Sequence, residues 1–253
     1  MAKLRFMNAK TAVLRRPQTD IAARVQAIDW ALAESNLDAQ GCAVLKGLFT
    51  PHECRALAAL FPDDKHFRSR VMMSRHGFGR GEYKYFAYPL PDLIAELRSL
   101  LYARLVGIAN RWNEAMGNAI RYPARHDAFL KRCHDANQTR PTPLLLQYEA
   151  GDYNCLHQDL YGEHVFPLQV TILLSEPGRD FEGGEFVLTE QRPRMQSRAE
   201  VVPLSQGDAV AFAVHHRPLQ GTRGTYRVNL RHGVSRLRAG QRHTVGVIFH
   251  DAK

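Results

Sequence analysis

The sequence predicts an α+β fold in which N-terminal helices support a C-terminal jelly roll built from two sheets. Residues 1–140 contain long segments with the apolar periodicity of helices. From Pro141 onward, short β-rich segments follow one another, separated by Gly, Pro and Asp, a spacing typical of a β-sandwich or jelly roll. Because no linker divides the two parts, we expect a single domain over 1–253, with mainly helical support in 1–140 and the core in 141–253.

The N-terminal part is predicted to contain helices with recognisable ends. Thr19 or Asp20 can cap a first helix that ends before Gly41. Thr50 followed by Pro51 indicates the start of a second helix, extending to residue 60, because proline is favoured at the first helical position. The other predicted elements are a buried strand at 42–48, two strands around a turn in 68–88, and helices at 91–116 and 124–136.

Seven short strands are predicted in the C-terminal part. Each is an apolar or β-branched segment bounded by turn-forming residues. Strands of this length and spacing are what two facing sheets require. They lie at 144–148, 168–174, 184–188, 201–204, 209–214, 226–232 and 244–249.

Composition limits the classes of function. The 253 residues are 45% hydrophobic and 23% charged, which is typical of a chain with an ordinary globular core. No run of 18 apolar residues is present, and the basic N-terminus lacks the apolar segment of a secretory signal, so we expect no membrane association. Four scattered cysteines without a C-x-x-C motif predict reduced thiols and a cytoplasmic protein. No feature indicates an obligate protein partner.

A candidate metal site begins at His157-Gln158-Asp159. Residues two apart in an extended chain point to the same face, so this imidazole and this carboxylate can reach one metal ion. A third ligand from a distant strand would complete a set of two histidines and one carboxylate, the arrangement used by non-haem Fe(II) oxygenases. A motif this short is common by chance, so the residues around it must decide.

The segment 144–249 resembles the core of Fe(II)/2-oxoglutarate dioxygenases of the prolyl-4-hydroxylase-like type. The matching motifs occur in the family's order and at family-like spacing. They are a tyrosine-glycine lead-in at Tyr148 and Gly151, the pair His157-x-Asp159, a Gly-Gly-Glu turn at 183–185, Gln-Gly-Asp at 206–208, and the distal segment HGVSRLRAGQRHTVGVIF with His232 and Arg242.

This resemblance implies a double-stranded β-helix and an enzyme. His157, Asp159 and His232 would form the catalytic metal centre, with Fe(II) as the metal, 2-oxoglutarate as cosubstrate, O2 as oxidant and ascorbate as an auxiliary reductant. Arg242 would hold the distal carboxylate of 2-oxoglutarate, because a guanidinium fork suits a carboxylate. Tyr148 would donate its hydroxyl to the same cosubstrate. Hydroxylation of the substrate would accompany decarboxylation of 2-oxoglutarate to succinate.

The sequence leaves the third metal ligand open. His215 and His216 also follow a predicted strand, so His216 competes with His232. We favour His232, because Arg242 then lies ten residues later, where the family places its carboxylate-binding arginine. It also leaves open the oligomeric state and whether the N-terminal region forms a lid over the substrate.

Two basic clusters bear on the substrate. The net charge of +9 is compatible with a polyanionic partner, or with a surface that uses arginine throughout. Basic groups can neutralise phosphates, and aromatic faces can stack bases. The cluster at 65–84 contains Lys65, Arg68, Arg70, Arg75, Arg80 and Lys84, with Phe67, Phe78, Tyr83, Tyr85, Phe86 and Tyr88 interleaved or following. The cluster at 217–242 contains Arg217, Arg223, Arg227, Arg231, Arg236, Arg238 and Arg242.

Beyond its core, the chain resembles a bacterial oxygenase family proposed to oxidise damaged nucleic acid in the manner of AlkB-type demethylases. The stretches HGFGRGEYKYFAYPLP, LLLQYEAGDYNCLHQDLYG and LTEQRPRMQSRAEVVPL carry this resemblance. It implies oxidative demethylation of damaged DNA or another nucleic acid. The core spacing leaves a prolyl-type peptidyl hydroxylase as an alternative. A non-catalytic, cupin-like metal-binding protein is a second alternative, disfavoured because such a binder has no need for Arg242.

Overall fold

Helices and strands alternate in the first half of the chain, and strands dominate after residue 140. The computed structural model describes residues 21–222 and 224–253. Its helices are α1 (Ile21–Ala27), α2 (Trp30–Gln40), α3 (Pro51–Ala58), α4 (Asp92–Ala115) and α5 (His126–Asp135). Its strands are β1 (Cys42–Leu45), β2 (Phe67–Met72), β3 (Gly79–Arg80), β4 (Glu82–Phe86), β5 (Leu144–Glu149), β6 (Tyr153–His157), β7 (Leu168–Leu173), β8 (Phe181–Gly183), β9 (Phe186–Gln191), β10 (Arg198–Val202), β11 (Ala209–Ala213), β12 (His216–Gly221), β13 (Gly224–Val234) and β14 (Leu237–Val247). None of the helices within these ranges is long and apolar enough to cross a membrane.

The strands form two antiparallel sheets. The larger one, here the major sheet, has the order β1-β11-β7-β14-β5-β4-β2, with β8 paired to β14. The smaller one, the minor sheet, has the order β10-β9-β13-β6-β3, with β12 paired to β13. The rings of Phe186 in β9 and Phe212 in β11 have centroids 5.0 Å apart, so the sheets pack face to face at this point.

Helix α4 anchors the helical layer to the strands. Its buried Leu97 and Leu101 belong to the same apolar core as the strand residues. Arg98 is also buried, and it donates hydrogen bonds to the carbonyl oxygens of Ile248 and His250 and forms an ion pair with Asp251 at 2.8 Å. Because these partners satisfy the guanidinium, its burial is tolerated and α4 is fixed to the segment that follows β14.

The helix ends differ from the prediction in two places. The predicted first helix is two helices, because the Asp29 side chain accepts a hydrogen bond from Leu32 N (3.0 Å) and caps a new helix there. Gly41 ends α2 at φ 80°, as expected. Thr50 begins α3 with a capping box, but the last turn tightens and α3 stops at Ala58. The predicted caps at residues 19 and 20 lie outside the described residues.

Four strands are absent from the sequence prediction. These are β3, β6, β8 and β12. Strand β6 is largely exposed and lacks an apolar face, and β12 contains Pro218, a residue that normally argues against a strand interior. Periodicity cannot detect such strands, because backbone pairing with β13 stabilises them rather than burial of an apolar face.

Strands β14 and β9 begin at other positions than predicted. Strand β14 starts at Leu237, well before residue 244, because the polar stretch after Leu237 pairs with β8 and β5. Strand β9 starts at Phe186 rather than 184, because Gly183 and Gly184 have positive φ angles (75° and 63°) and form the turn before it. Both corrections lengthen or shift strands that border the candidate site.

Strand β3 lies along β6, and Gly79 is the point of closest approach. Gly79 pairs with Asn154 and has a φ of 122°. A Cβ atom at this position would lie 2.4 Å from the carbonyl oxygen of Tyr153. The backbone angle and the contact together exclude a side chain.

We predict that Gly79→Ala lowers the free energy of unfolding by about 2–4 kcal/mol, because β3 must move away from β6 or accept severe strain. The matched control is Gly77→Ala in the same turn, where φ is 70° and the space around the new Cβ is free. Gly77→Ala should lower the free energy of unfolding by about 1 kcal/mol. Denaturant titration of both variants measures the difference, and equal losses would show that the contact with β6 is unimportant.

Candidate metal centre

Pairing of β6 with β13 brings two histidines together. His157 is the last residue of β6 and lies opposite His232 of β13, with ring centroids 4.2 Å apart. Asp159 follows β6 by two residues. Its Oδ1 lies 3.6 Å from His157 Nε2, and its Oδ2 lies 3.4 Å from His232 Nε2. One ligand atom from each residue lies within 4.8 Å of the others, so the three side chains could hold a metal ion.

Hydrogen bonds orient two of these side chains. His157 Nδ1 lies 2.8 Å from the carbonyl oxygen of Cys155, which assigns the proton to Nδ1 and leaves Nε2 available to a metal. The hydroxyl of Tyr161 donates to Asp159 Oδ1 at 2.7 Å. The sequence analysis missed Tyr161. The signal that could have found it is the alternation Asp159-x-Tyr161, which sends both side chains into the same cavity.

The protonation states suit metal binding. Burial raises the pKa of a carboxyl group, but the hydrogen bond and electrostatic attraction of His232, with His157 and Tyr161 nearby, outweigh it and hold the pKa of Asp159 well below its usual range. Burial lowers the pKa of His232, against the opposing effect of Asp159. A carboxylate beside the easily deprotonated imidazole of His232 is the state that metal coordination requires.

The competing histidine, His216, lies elsewhere. It is the first residue of β12, and its ring is tilted against that of His215 with centroids 3.5 Å apart. It lines a second cavity that includes none of the three candidate ligands. The reason is register: His216 lies opposite Asn229, three positions before His232. The structure therefore brings His232, and not His216, to His157 and Asp159.

A cavity of about 190 Å³ extends from the candidate ligands into the space between the sheets. Arg242 of β14 and Tyr148 of β5 are a cross-strand pair and line it on the side of the major sheet. Arg242 is buried, and its Nε and Nη1 have no hydrogen-bond partner among the described residues. The buried hydroxyl of Tyr148 has none there either.

A buried guanidinium with unsatisfied donors indicates an anionic ligand. Burial lowers the pKa of Arg242 to about 10, so the group is still charged at neutral pH, and an uncompensated buried charge is costly. Gly184 leaves room for it, because a Cβ there would lie 3.0 Å from Arg242 Cδ. Two imidazoles and a carboxylate facing an unpaired arginine and a tyrosine hydroxyl fit Fe(II) together with 2-oxoglutarate.

Residues 81–252 match the model of a known family, Oxygenase-NA, described as an oxygenase catalysing oxidative methylation of damaged DNA. The chain belongs to this family. The match confirms the predicted oxygenase, and its range spans His157, Asp159, His232, Arg242 and Tyr148.

Two curated relatives come from Mycobacterium tuberculosis. They are uncharacterised proteins of strains CDC 1551 and H37Rv, each 48% identical to this chain over 167 residues. The alignment covers 66% of this chain and 72% of each relative. Their similarity supports the family membership but names no substrate.

Solved structures with a similar fold are 2-oxoglutarate-Fe(II) oxygenases. A prolyl-4-hydroxylase of Pseudomonas putida has 12% identity and a TM-score of 0.51, over 88% of this chain and 99% of that one. An oxidoreductase of the 2OG-Fe(II) oxygenase family from Burkholderia pseudomallei has 18% identity and a TM-score of 0.52, over 88% of this chain and 92% of that one. The non-haem α-ketoglutarate-dependent epimerase SnoN from nogalamycin biosynthesis has 13% identity and a TM-score of 0.53, over 87% of this chain and 81% of that one. At these identities the likeness shows the fold. With the candidate ligands, it supports the predicted Fe(II) and 2-oxoglutarate.

The basic cluster at 217–242 is not one surface of the oxygenase. Arg217 is fully buried and forms an ion pair with Glu190, and Arg242 lies inside the cavity. Glu190 is distant in sequence, so the window without acids does not show this pairing. Arg223 lies outside the described residues. The exposed members are Arg227, Arg231, Arg236 and Arg238.

The basic cluster at 65–84 also contains both buried and exposed residues. Lys84 is buried and forms an ion pair with Asp64 at 2.6 Å, whereas Arg75 and Arg80 are exposed. Its aromatic residues divide too, because Phe67 and Phe86 stack on each other at 5.0 Å as part of the packing. Of the aromatic residues of this cluster, Phe78, Tyr83 and Tyr85 line the cavity.

We predict that Asp159→Ala and His232→Ala weaken anaerobic Fe(II) binding by more than about 100-fold, because each removes a direct ligand. His216→Ala is the matched control and should bind Fe(II) like the unaltered protein, since His216 lies in the other cavity. Equilibrium dialysis measures the affinities, and circular dichroism verifies that each variant is folded. Loss of iron in His216→Ala with retention in His232→Ala would reverse the assignment.

Proposed function

We propose that this protein is an Fe(II)/2-oxoglutarate-dependent dioxygenase that oxidatively demethylates damaged DNA or another nucleic acid. The observation that carries the proposal is one cavity that contains both the three candidate ligands and the unpaired Arg242, in a chain of the Oxygenase-NA family. The two facing sheets would form the double-stranded β-helix. His157, Asp159 and His232 would hold the iron, and Arg242 and Tyr148 would hold 2-oxoglutarate.

The bound iron would supply the oxidation chemistry, using O2 and 2-oxoglutarate and releasing succinate and CO2. The residues of the chain position the reactants. Arg242 would hold the distal carboxylate of 2-oxoglutarate and Tyr148 would donate its hydroxyl to it, which would fix the orientation of the cosubstrate. Tyr161 holds one oxygen of Asp159 and so restricts the rotation of the carboxylate. Burial of Arg242 and Asp159 keeps water away from these charges.

Aromatic and basic groups at the cavity support a nucleobase as the substrate. Tyr83, Tyr85 and Tyr161 line the cavity, and Phe78 is exposed at its edge. Aromatic faces of this kind can stack a base that has left the helix. The exposed Arg75 lies three residues before Phe78 in the same loop, where it could meet a backbone phosphate.

The direction of the reaction follows from its chemistry. One oxygen atom of O2 enters succinate and the other enters a C–H bond of an N-methyl group. The N-hydroxymethyl product is a hemiaminal, which breaks its C–N bond and releases formaldehyde, leaving N–H on the base. Oxidation at this position therefore removes a methyl group, and we interpret the family's described action on damaged DNA as demethylation.

The proposal extends to the whole chain. Helix α4 packs on the strands through one continuous apolar core, which supports a single oxygenase domain over the described part of the expected range 1–253. All four cysteines are free thiols, in keeping with a cytoplasmic setting, where an enzyme acting on bacterial DNA would work and where ascorbate or another reductant could maintain the iron.

We predict that the protein with Fe(II), O2 and 2-oxoglutarate releases formaldehyde from an N-methylated single-stranded oligodeoxynucleotide and succinate from 2-oxoglutarate, in equal amounts. The unmethylated strand and the His232→Ala variant are the controls, and both should release no formaldehyde. Coupled enzyme assays measure the two products.

Two results would contradict this prediction. No formaldehyde from any methylated strand, with gain of one oxygen atom by a proline-containing peptide, would establish the peptidyl hydroxylase instead. Binding of iron without any succinate formation would support a non-catalytic, cupin-like protein.

A further inference from the structure

A second cavity lies directly beside the metal centre. Its volume is about 230 Å³. Asp159 and Tyr161 line the first cavity, whereas Leu160 between them lines the second. A single chain segment therefore separates the two spaces.

Two arginines point into this second cavity with donors to spare. Arg132 of α5 donates to the carbonyl oxygen of Arg121 at 2.8 Å, and Arg227 of β13 donates to that of Met116 at 3.1 Å. Each guanidinium has five N–H groups, so one bond to a backbone carbonyl leaves most of its donors available. Neither arginine forms an ion pair within the described ranges.

Three histidines add unused imidazoles. The rings of His215 and His216 lie against each other at a tilt of 31°, and His164 also lines the cavity. None of the three rings has a hydrogen-bond partner in the described part of the chain. The acidic residue of the lining is Glu163, which is exposed. Two arginines against one glutamate leave a net positive lining even when every imidazole is neutral.

This lining suits an anion rather than a metal ion. Within the described residues, the group whose ligand atoms converge closely enough for a metal is the triad of the first cavity, not these histidines. Arg227 would also repel a cation. Guanidinium and imidazole N–H groups converging on one space provide charge-assisted hydrogen bonds to phosphate oxygens. Burial, with His215 and Arg227 nearby, lowers the pKa of His216 to about 4, and a bound anion would oppose that shift.

The position of the second cavity relative to the metal centre indicates which phosphate of a bound strand it could hold. Arg227 and His232 are five residues apart on β13, about 17 Å along a strand. This odd separation places their side chains on opposite faces of the minor sheet, so a bound strand would pass around the segment at Leu160 that separates the two cavities. Stacked bases are spaced by about 3.4 Å along one strand of a duplex, so about five base steps span this distance, and fewer in an extended strand.

We propose that the second cavity is a phosphate subsite, which holds a backbone phosphate of the strand whose damaged base enters the metal cavity. This inference rests on the proposed function. Such a contact carries no sequence information, but it fixes the register of the strand over the cavity mouth. It also explains the paired His215-His216, for which the metal centre has no use.

Binding of a fluorescent, undamaged single-stranded oligodeoxynucleotide tests the subsite directly. We expect Arg227→Gln and His216→Gln each to weaken binding about 5- to 10-fold, because each removes donors to one phosphate. Arg227→Gln should also reduce the slope of log affinity against log salt by about 0.7, the value for one phosphate contact on a single strand. Fluorescence anisotropy at several salt concentrations measures both quantities.

Arg55→Gln is the matched control. Arg55 is an exposed arginine of α3 that lines neither cavity, so this variant loses the same charge. It should change affinity less than twofold and leave the salt slope unaltered. Equal losses in Arg55→Gln and Arg227→Gln would show that general surface charge, not the cavity, attracts the strand, and would overturn the proposal.

Two further probes distinguish other occupants. Inorganic phosphate should shift the imidazole resonances of His215 and His216 in the nuclear magnetic resonance spectrum and compete with the strand. Phosphate binding without any loss of strand affinity in the two variants would make this a site for free phosphate and would contradict the proposal. Tight binding of Zn²⁺ that His216→Gln abolishes would also contradict it.

Kinetics separate this inference from the proposed function. If the methylated strand is demethylated, Arg227→Gln should raise its KM about 5- to 10-fold at unchanged kcat, and leave the KM of the methylated nucleoside, which has no phosphate, unaltered. If no methylated strand is turned over but the variants lose strand affinity as expected, the subsite stands and the demethylase fails. If the methylated strand is turned over with equal KM in all variants, the demethylase stands and the phosphate subsite fails.

Discussion

The buried guanidinium of Arg242, whose Nε and Nη1 have no hydrogen-bond partner among the described residues, is the constraint on which the cavity between the sheets depends. Two other buried arginines show the contrast. Arg98 is paired with Asp251, and Arg217 is paired with Glu190, so the fold provides a counter-charge where a buried arginine serves the structure alone. Arg242 has no such partner at its Nε and Nη1 within the described residues. A fold that leaves a guanidinium in this state loses stability unless a ligand supplies the missing anion.

The opposite side of the cavity carries the complementary arrangement. Asp159 is a buried carboxylate placed between two imidazoles, and the pairing of His157 with His232 determines that placement. A shift of β13 by one residue would turn His232 away, because neighbouring residues of a strand point to opposite faces. The β6–β13 register, further secured by β3 along the other edge of β6, therefore determines whether the three side chains can share a metal.

Part of this site can be predicted from the sequence, and part becomes visible only in the structure. The spacing of His157 and Asp159 and the family-like position of Arg242 identify residues that the structure places in one cavity. The choice between His216 and His232 depends on a strand, β12, whose Pro218 conceals it from periodicity. The exposure of the basic clusters depends on counter-charges such as Glu190, which are remote in sequence. The role of Tyr161 becomes visible only with its hydroxyl beside Asp159.

Thermal denaturation of the Mn²⁺-loaded protein and its Arg242→Met variant, with and without 2-oxoglutarate, tests the central claim most directly. Without 2-oxoglutarate, Arg242→Met should unfold at the same or a higher temperature than the unaltered protein, because an apolar side chain replaces an uncompensated charge. Addition of 2-oxoglutarate should raise the melting temperature of the unaltered protein alone. A variant that is destabilised, yet gains as much from 2-oxoglutarate as the unaltered protein, would contradict the assignment of Arg242 and the function built on it.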